Sequence, residues 1–99
     1  MICTLTARRL KPGAYDDFRA AWGGGQERPE GAERWTRVYH CRDVRDENVV
    51  VSFGFFDGTL EDLRETQGRI GRTSQVASVD PYVEEVLLDG SYEVLEELT

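Results

Sequence analysis

No stretch of the 99-residue chain approaches the roughly 20 consecutive apolar residues that a membrane helix needs. Nothing at the N-terminus joins a basic region to an apolar one, so no secretory leader is expected and the cytoplasm is the expected location. Cysteine is scarce. Cys3 and Cys41 stand alone, without a C-x-x-C spacing, which excludes a disulfide framework and a thiolate zinc site and leaves two reduced, strand-packed residues as the expectation. With a single histidine as well, no metal is expected. Positive charge is also in deficit: 19 acids against 12 bases give a net charge of −7, which argues against nucleic acid or an anionic membrane as partner. The deficit is local. Residues 80–99 carry seven acids and no base, whereas residues 1–79 balance 12 of each.

What is present has clear periodicity. ICTLTARRL, residues 2–10, alternates Cys3, Leu5 and Ala7 with Thr4, Thr6 and Arg8, as a strand with one apolar face does. Pro12 suits the first turn of a helix, where its missing N–H costs nothing. Tyr15, Phe18, Ala21 and Trp22 then recur at helical spacing until Gly23, Gly24 and Gly25 end the pattern. The triglycine lacks the Lys-Ser/Thr of a phosphate-binding loop and follows no strand directly, so it reads as a stop, with the polar run 26–33 as a loop. WTRVYHCRDV, residues 35–44, and VVVSFGFF, residues 49–56, form two strands around an RDEN turn. On the latter, Val49, Val51, Phe53 and Phe55 are expected to face the helices, and Val50, Ser52, Gly54 and Phe56 to border a cavity on the other face. Thr59 and Asp62 form a capping-box pattern, after which Leu60, Leu63, Gln67 and Ile70 continue at helical spacing until glycines weaken the end. PYVEEVLLDGSYEVLEEL, residues 81–98, reads as a final strand bent at Asp89-Gly90.

The order βαββαβ predicts a single α+β domain over residues 1–99, of ferredoxin-like type: a four-stranded antiparallel sheet with both helices on one face. The other face, expected to carry Phe56, would be bare, and two such sheets meeting across a two-fold axis would cover each other.

Through its LKPG turn before an aromatic-striped helix, its RDEN hairpin, its TLEDL helix start and its long last strand, nearly the whole chain resembles the dimeric α+β barrel superfamily, and within it the antibiotic-biosynthesis-monooxygenase-like proteins. The resemblance implies a homodimer enclosing a cavity, with the end of the last strand often exchanged between subunits. It further implies a small aromatic or quinone-like ligand and cofactor-free oxygenation, with no cofactor expected. A non-catalytic ligand-binding or assembly module of the same fold is the alternative. Haem-degrading relatives use an Asn on the first strand, a Trp late in the third and a His on the second helix. Thr4 and Thr6, Phe55 and Phe56, and Thr66 and Gln67 occupy the comparable stretches here, so haem degradation is not expected.

His40, the only histidine, is the candidate base: lining the barrel, it could take the proton of an activated phenol or enol; the alternative is a strand histidine bonded at the sheet edge or dimer contact. It is expected to share a face with Val38 and Arg42, opposite Arg37, Tyr39 and Cys41. Arg8, Arg37 and Arg42 could hold a carboxylate or oxyanion, or pair with the acidic last strand; Ser52 and Phe56 complete the candidate substrate-binding set. Ser52 has no His-Asp framework beside it in sequence, so nucleophilic catalysis is not expected. Residues beyond Asp89-Gly90 are expected to cross to the partner, bringing Glu93, Glu96 or Glu97 near Arg37, Arg42 or Arg45.

Overall fold

The structure, a computed structural model, describes residues 1–22, 34–69 and 78–98. The triglycine, the polar run 26–33, and Ile70 with Gly71 at the expected end of the second helix lie outside the described residues.

Strands β1 (Ile2–Leu10), β2 (Trp35–Arg42), β3 (Val49–Phe56) and β4 (Val83–Glu93) form one sheet in the order β2-β3-β1-β4, with every neighbouring pair antiparallel. This is the ferredoxin-like arrangement that the order of elements predicts. Helix α1 (Tyr15–Ala21) and helix α2 (Leu60–Arg69) cover the same face. Phe18 of α1 is fully buried in a cluster with Leu10, Ala14, Val50 and Val79, while Leu63 of α2 packs with Ile2 and Phe56. Since Ile2, Leu10, Val50 and Phe56 are related by even spacing on antiparallel strands, they belong to one side of the sheet.

The turn into α1 differs from the expectation. Ala14 N–H donates to Lys11 C=O at 3.0 Å and Gly13 has φ 73°. Pro12 therefore precedes a left-handed glycine in a tight turn, where its fixed φ is useful, and the helix begins later, at Tyr15. The start of α2 follows the capping-box pattern: Thr59 N–H donates to Asp62 Oδ2 at 3.0 Å, and Asp62 N–H donates to Thr59 Oγ1 at 3.1 Å. Leu60 is exposed, however, and the buried stripe of α2 is Leu63 and Thr66.

The assignment of β3's two faces is reversed relative to the sequence expectation. Val50, Ser52, Gly54 and Phe56 face the helices, and Val51, Phe53 and Phe55 lie on the open face. Phe56 is thus wholly buried in the core against Leu63, Ile2 and Trp35, and is no part of a bare face or a ligand cavity. Both sets are apolar enough for a core. The small residues Ser52 and Gly54 decide the matter, because they leave room for the groups seated beneath the helices: a Cβ on Gly54 would meet Val38 Cγ2 at 3.0 Å and Trp35 Cδ1 at 3.5 Å.

β2 carries a second departure. Thr36 pairs with Phe55 and Tyr39 with Phe53, so three steps on β2 match two on β3, and Arg37 at the resulting bulge has φ 51°. The extra residue reverses the alternation, placing Trp35 on the helix side together with Val38, His40 and Arg42. Trp35 Nε1–H donates to Thr4 Oγ1 at 3.1 Å and its ring meets Phe56 edge-on.

β4 stays on β1 as far as Ile2–Glu93, with irregularities that leave Glu84 and Leu87 without a register partner. There is no break at Asp89-Gly90: Asp89 pairs with Thr6, Gly90 with Leu5 and Ser91 with Thr4. Ser91–Glu93 therefore complete this chain's own sheet rather than a partner's, and Val94 N–H still donates to Met1 C=O. Only beyond it does the tail leave the ladder, with Leu95 90% and Leu98 84% exposed.

Candidate functional site

The helix-facing side of the sheet carries a polar row. His40 on β2, Ser52 on β3, Thr6 on β1 and Asp89 on β4 are successive register partners. His40 Nδ1 and Ser52 Oγ share a 2.7 Å hydrogen bond. One step along, Arg42, Val50, Arg8 and Val86 make the adjacent row. Arg8 Nη1 donates to Thr6 Oγ1 at 2.8 Å and bridges the two. Arg8, Ser52 and Thr6 are all buried.

Helix α1 closes over these groups. The Trp22 indole lies 5.0 Å from the His40 ring, edge to face, and 5.1 Å from the Arg8 guanidinium carbon; Phe18 makes the same pair of contacts at 5.9 and 5.8 Å. Such ring–ring and cation–π contacts have preferred geometries, so the aromatic stripe that packs α1 on the sheet also positions the imidazole and the guanidinium. Arg42 lies over Tyr15, 5.8 Å from its ring centre, at the rim.

Burial lowers the His40 pKa below its ordinary 6.5, and the positive charges of Arg19 and Arg8 lower it further. The imidazole is therefore neutral near pH 7, with one nitrogen engaged by Ser52. With Nδ1–H donating to Ser52, Nε2 offers a lone pair; with Ser52 O–H donating, Nε2–H is a donor. Burial pushes the Cys3 thiol up, away from thiolate chemistry. Among the described residues no group of three His, Cys, Asp or Glu side chains converges in a way that could hold a metal ion, and no helix is long and apolar enough to cross a membrane.

Of the residues singled out in the sequence, the structure brings together His40, Ser52 and Arg8, with Arg42 at the rim. Arg37 lies exposed at the β2 bulge, away from the row, and Phe56 is in the α2 core. His40 turns toward α1 and not toward the open face, so it does not line a space between two sheets. On the acidic last strand Glu85 bonds Arg9, whose Nε lies 3.7 Å from Asp46. The pairing of His40 with Ser52 went unread in the sequence, although counting back from the hairpin turn aligns them. Thr6, read only as the polar side of β1, joins them through the same register. Trp22 and Phe18, read as packing residues, both pack and contact the site.

The open face is apolar and aromatic. Tyr39 stacks on Phe53 at 5.2 Å, Phe53 meets Phe55 edge-on at 6.2 Å, and Leu88 and Tyr92 of β4 extend the patch while exposed. Cys41, expected to be packed, is exposed on this face.

No protein-family profile and no curated protein sequence matches the chain. Solved structures do. A "putative antibiotic biosynthesis monooxygenase" from Chloroflexus aurantiacus superposes with a TM-score of 0.71 at 13% identity, covering 99% of this chain and 96% of that one. Its namesake from Deinococcus radiodurans gives 0.73 at 10%, covering 100% and 97%. A NIPSNAP domain protein from Burkholderia xenovorans gives 0.67 at 14%, covering 100% and 99%. At these identities the likeness establishes a common fold, that of the antibiotic-biosynthesis-monooxygenase-like structures.

Proposed function

We propose that the chain, as one domain over its 99 residues, is a small-molecule-binding homodimer of the antibiotic-biosynthesis-monooxygenase-like fold that oxygenates an aromatic or quinone-like compound without a cofactor. The observation that carries this reading is the cluster around His40, which Ser52 holds at 2.7 Å, the Phe18 and Trp22 rings meet edge-on and the Arg8 guanidinium flanks. The neutral imidazole can accept a proton, the aromatic walls suit a flat ring, and the guanidinium favours the oxyanion that forms.

In the chemistry proposed, Ser52 Oγ accepts Nδ1–H, and His40 Nε2 takes the proton of a phenol or enol. The resulting anion donates electrons to dioxygen. For an anthrone the balance is one ring CH2 and one O2 giving one C=O and one H2O: the carbon loses four electrons, and one oxygen atom enters the product. The burial and the cations that lower the His40 pKa limit its strength as a base, and the proton transfer is favourable only because the anion it creates is stabilised beside the guanidinium.

The dimer is supported by the open face, where Tyr39, Phe53, Phe55, Leu88 and Tyr92 form an aromatic patch that a second copy would cover. Assembly through it leaves both helix layers outside, so each subunit retains its own His40 cluster. A cytoplasmic location is consistent with this reading.

The test is oxygen uptake with anthrone and hydroquinone substrates, using protein treated with chelator and free of flavin and haem. Turnover abolished by His40→Gln, with the far-UV spectrum unchanged, supports the proposal. A broad panel without turnover assigns the protein to non-catalytic binding, and unchanged rates in His40→Gln remove His40 from the mechanism.

A further inference from the structure

We propose that the Trp22 side chain is a gate over the His40 cluster: the indole occupies the place of a ligand's ring, and a flat substrate enters only when it swings out. The inference rests on the reading of this cluster as the ligand site and adds how access to it is controlled.

Two aromatic rings cover the same two polar groups, and they are held differently. Phe18 and Trp22 each meet the His40 ring edge-on, at 5.9 and 5.0 Å, and each lies against the Arg8 guanidinium, at 5.8 and 5.1 Å. Phe18 sits inside α1, wholly buried in the core with Leu10, Val50 and Val79, and is a fixed wall. Trp22 is half-buried at the C-cap of α1, where ψ is 111° and the chain has left the helix. Its backbone is tied on both sides: N–H donates to Phe18 C=O at 2.9 Å, and C=O accepts a bond from Arg19 Nη1 at 3.2 Å. Rotation of the side chain between rotamers breaks neither bond. No hydrogen bond ties the indole to another described residue. The second tryptophan, Trp35, is anchored, for its Nε1–H donates to Thr4 Oγ1 at 3.1 Å and its ring meets Phe56 edge-on at 4.8 Å.

A base must be reached by its substrate, and the closed cluster offers one route. Ser52 engages Nδ1 of His40, which leaves Nε2 as the nitrogen for a substrate. Of Ser52, Phe18 and Trp22, the described side chains in ring or hydrogen-bond contact with the imidazole, the first two are buried and Trp22 is half-exposed. Its departure vacates a flat recess the size of a bicyclic ring, bounded by Phe18, His40 and Arg8. While it stays, the indole makes the ring-to-ring and cation–π contacts that an aromatic substrate would make there, and it keeps water from the imidazole. Gate and substrate therefore compete, and apparent affinity is reduced to the fraction of molecules that are open.

The test adds 2-naphthol to the full chain labelled with fluorotryptophan, whose two fluorine NMR signals come from Trp22 and Trp35 and are assigned with Trp35→Phe. We expect saturating 2-naphthol to make the Trp22 signal solvent-exposed, as read from its H2O-to-D2O isotope shift, while the Trp35 signal stays buried. Trp22→Ala, which removes the gate, should bind 2-naphthol at least tenfold more tightly than the intact chain, and without the probe its His40 titration should move back toward 6.5. If that variant does not fold, the labelled intact chain decides alone. Binding that leaves the Trp22 signal unmoved, no gain in a folded Trp22→Ala, or no binding by either form would overturn the gate. The outcome is separable from the oxygenase reading: a displaced indole and a tenfold gain without oxygen uptake on any substrate overturn only the enzyme, and anthrone turnover with the Trp22 signal unmoved overturns only the gate.

Discussion

His40 Nδ1 and Ser52 Oγ meet at 2.7 Å across the β2–β3 ladder, at the point where Phe18 of α1 and Trp22 at its C-cap close over the sheet. The bond joins a residue with a proton affinity near neutrality to a buried hydroxyl, and it makes the register of two strands a determinant of the site's chemistry.

That environment couples stability to pH. The folded state holds the His40 pKa below the 6.5 of the free side chain, so between those two values the unfolded chain binds more protons. Stability is then fully present above pH 6.5 and falls as the pH drops from there through the lowered folded value. Asp62 acts in a lower window: its bonds from Thr59 lower its pKa below 3.8, and that contribution is lost as the pH falls below 3.8. Thermal melting at intervals from pH 8 to pH 3 should show both declines, and His40→Gln should flatten the upper one alone. An unchanged upper decline in the variant would assign it to other groups.

Phe18 serves core and site together. Phe18→Ala should cost about 3–5 kcal/mol in urea denaturation, as for a fully buried aromatic residue. Phe18→Leu, which keeps most of the volume, should cost less and yet move the His40 pKa back toward 6.5 as water reaches the imidazole. A His40 titration unaltered in Phe18→Leu would show that the ring does not shield it.

Gly58, between β3 and α2, has φ 152°, and a Cβ there would meet Arg34 Nη2 at 2.7 Å and Phe56 Cε1 at 2.8 Å. Arg34 is itself committed, its Nε donating to Asp57 C=O at 3.1 Å and its Nη2 lying 3.5 Å from Asp62. Gly58→Ala should therefore destabilise by about 1–3 kcal/mol, from strain and from crowding of the Phe56 core. A change below 0.5 kcal/mol by chemical denaturation would mean that the junction relaxes freely.

Assembly should depend on the open face. Phe53→Asp, which sets a charge among Tyr39, Phe55 and the opposing copy, should shift the protein to monomer or aggregate in sedimentation. Removing Leu95 to Thr99 should leave the dimer in place, because Ser91–Glu93 belong to the chain's own sheet. Dissociation of the truncated protein, with Phe53→Asp still dimeric, would transfer the interface to the tail.

Much of the framework was legible in local pattern. β1 and β3 fall where alternation places them, α1 carries its aromatic stripe, and α2 opens on the Thr59–Asp62 box, because each depends on residues a few positions apart. The candidate base was legible too, as the single histidine. What alternation cannot tell is which of two apolar faces a helix will cover. Only packing decided that Ser52, Gly54 and Phe56 lie under the helices while Phe53 and Phe55 lie open, since small residues on one face leave the volume that α1, α2 and Trp35 fill. A one-residue bulge at Arg37, with no mark in the sequence, put Trp35 and His40 on the same side. The meeting of His40, Ser52, Thr6 and Arg8 is likewise a product of three strands in register: composition determined which chemical groups exist, and long-range pairing under α1 determined which of them touch.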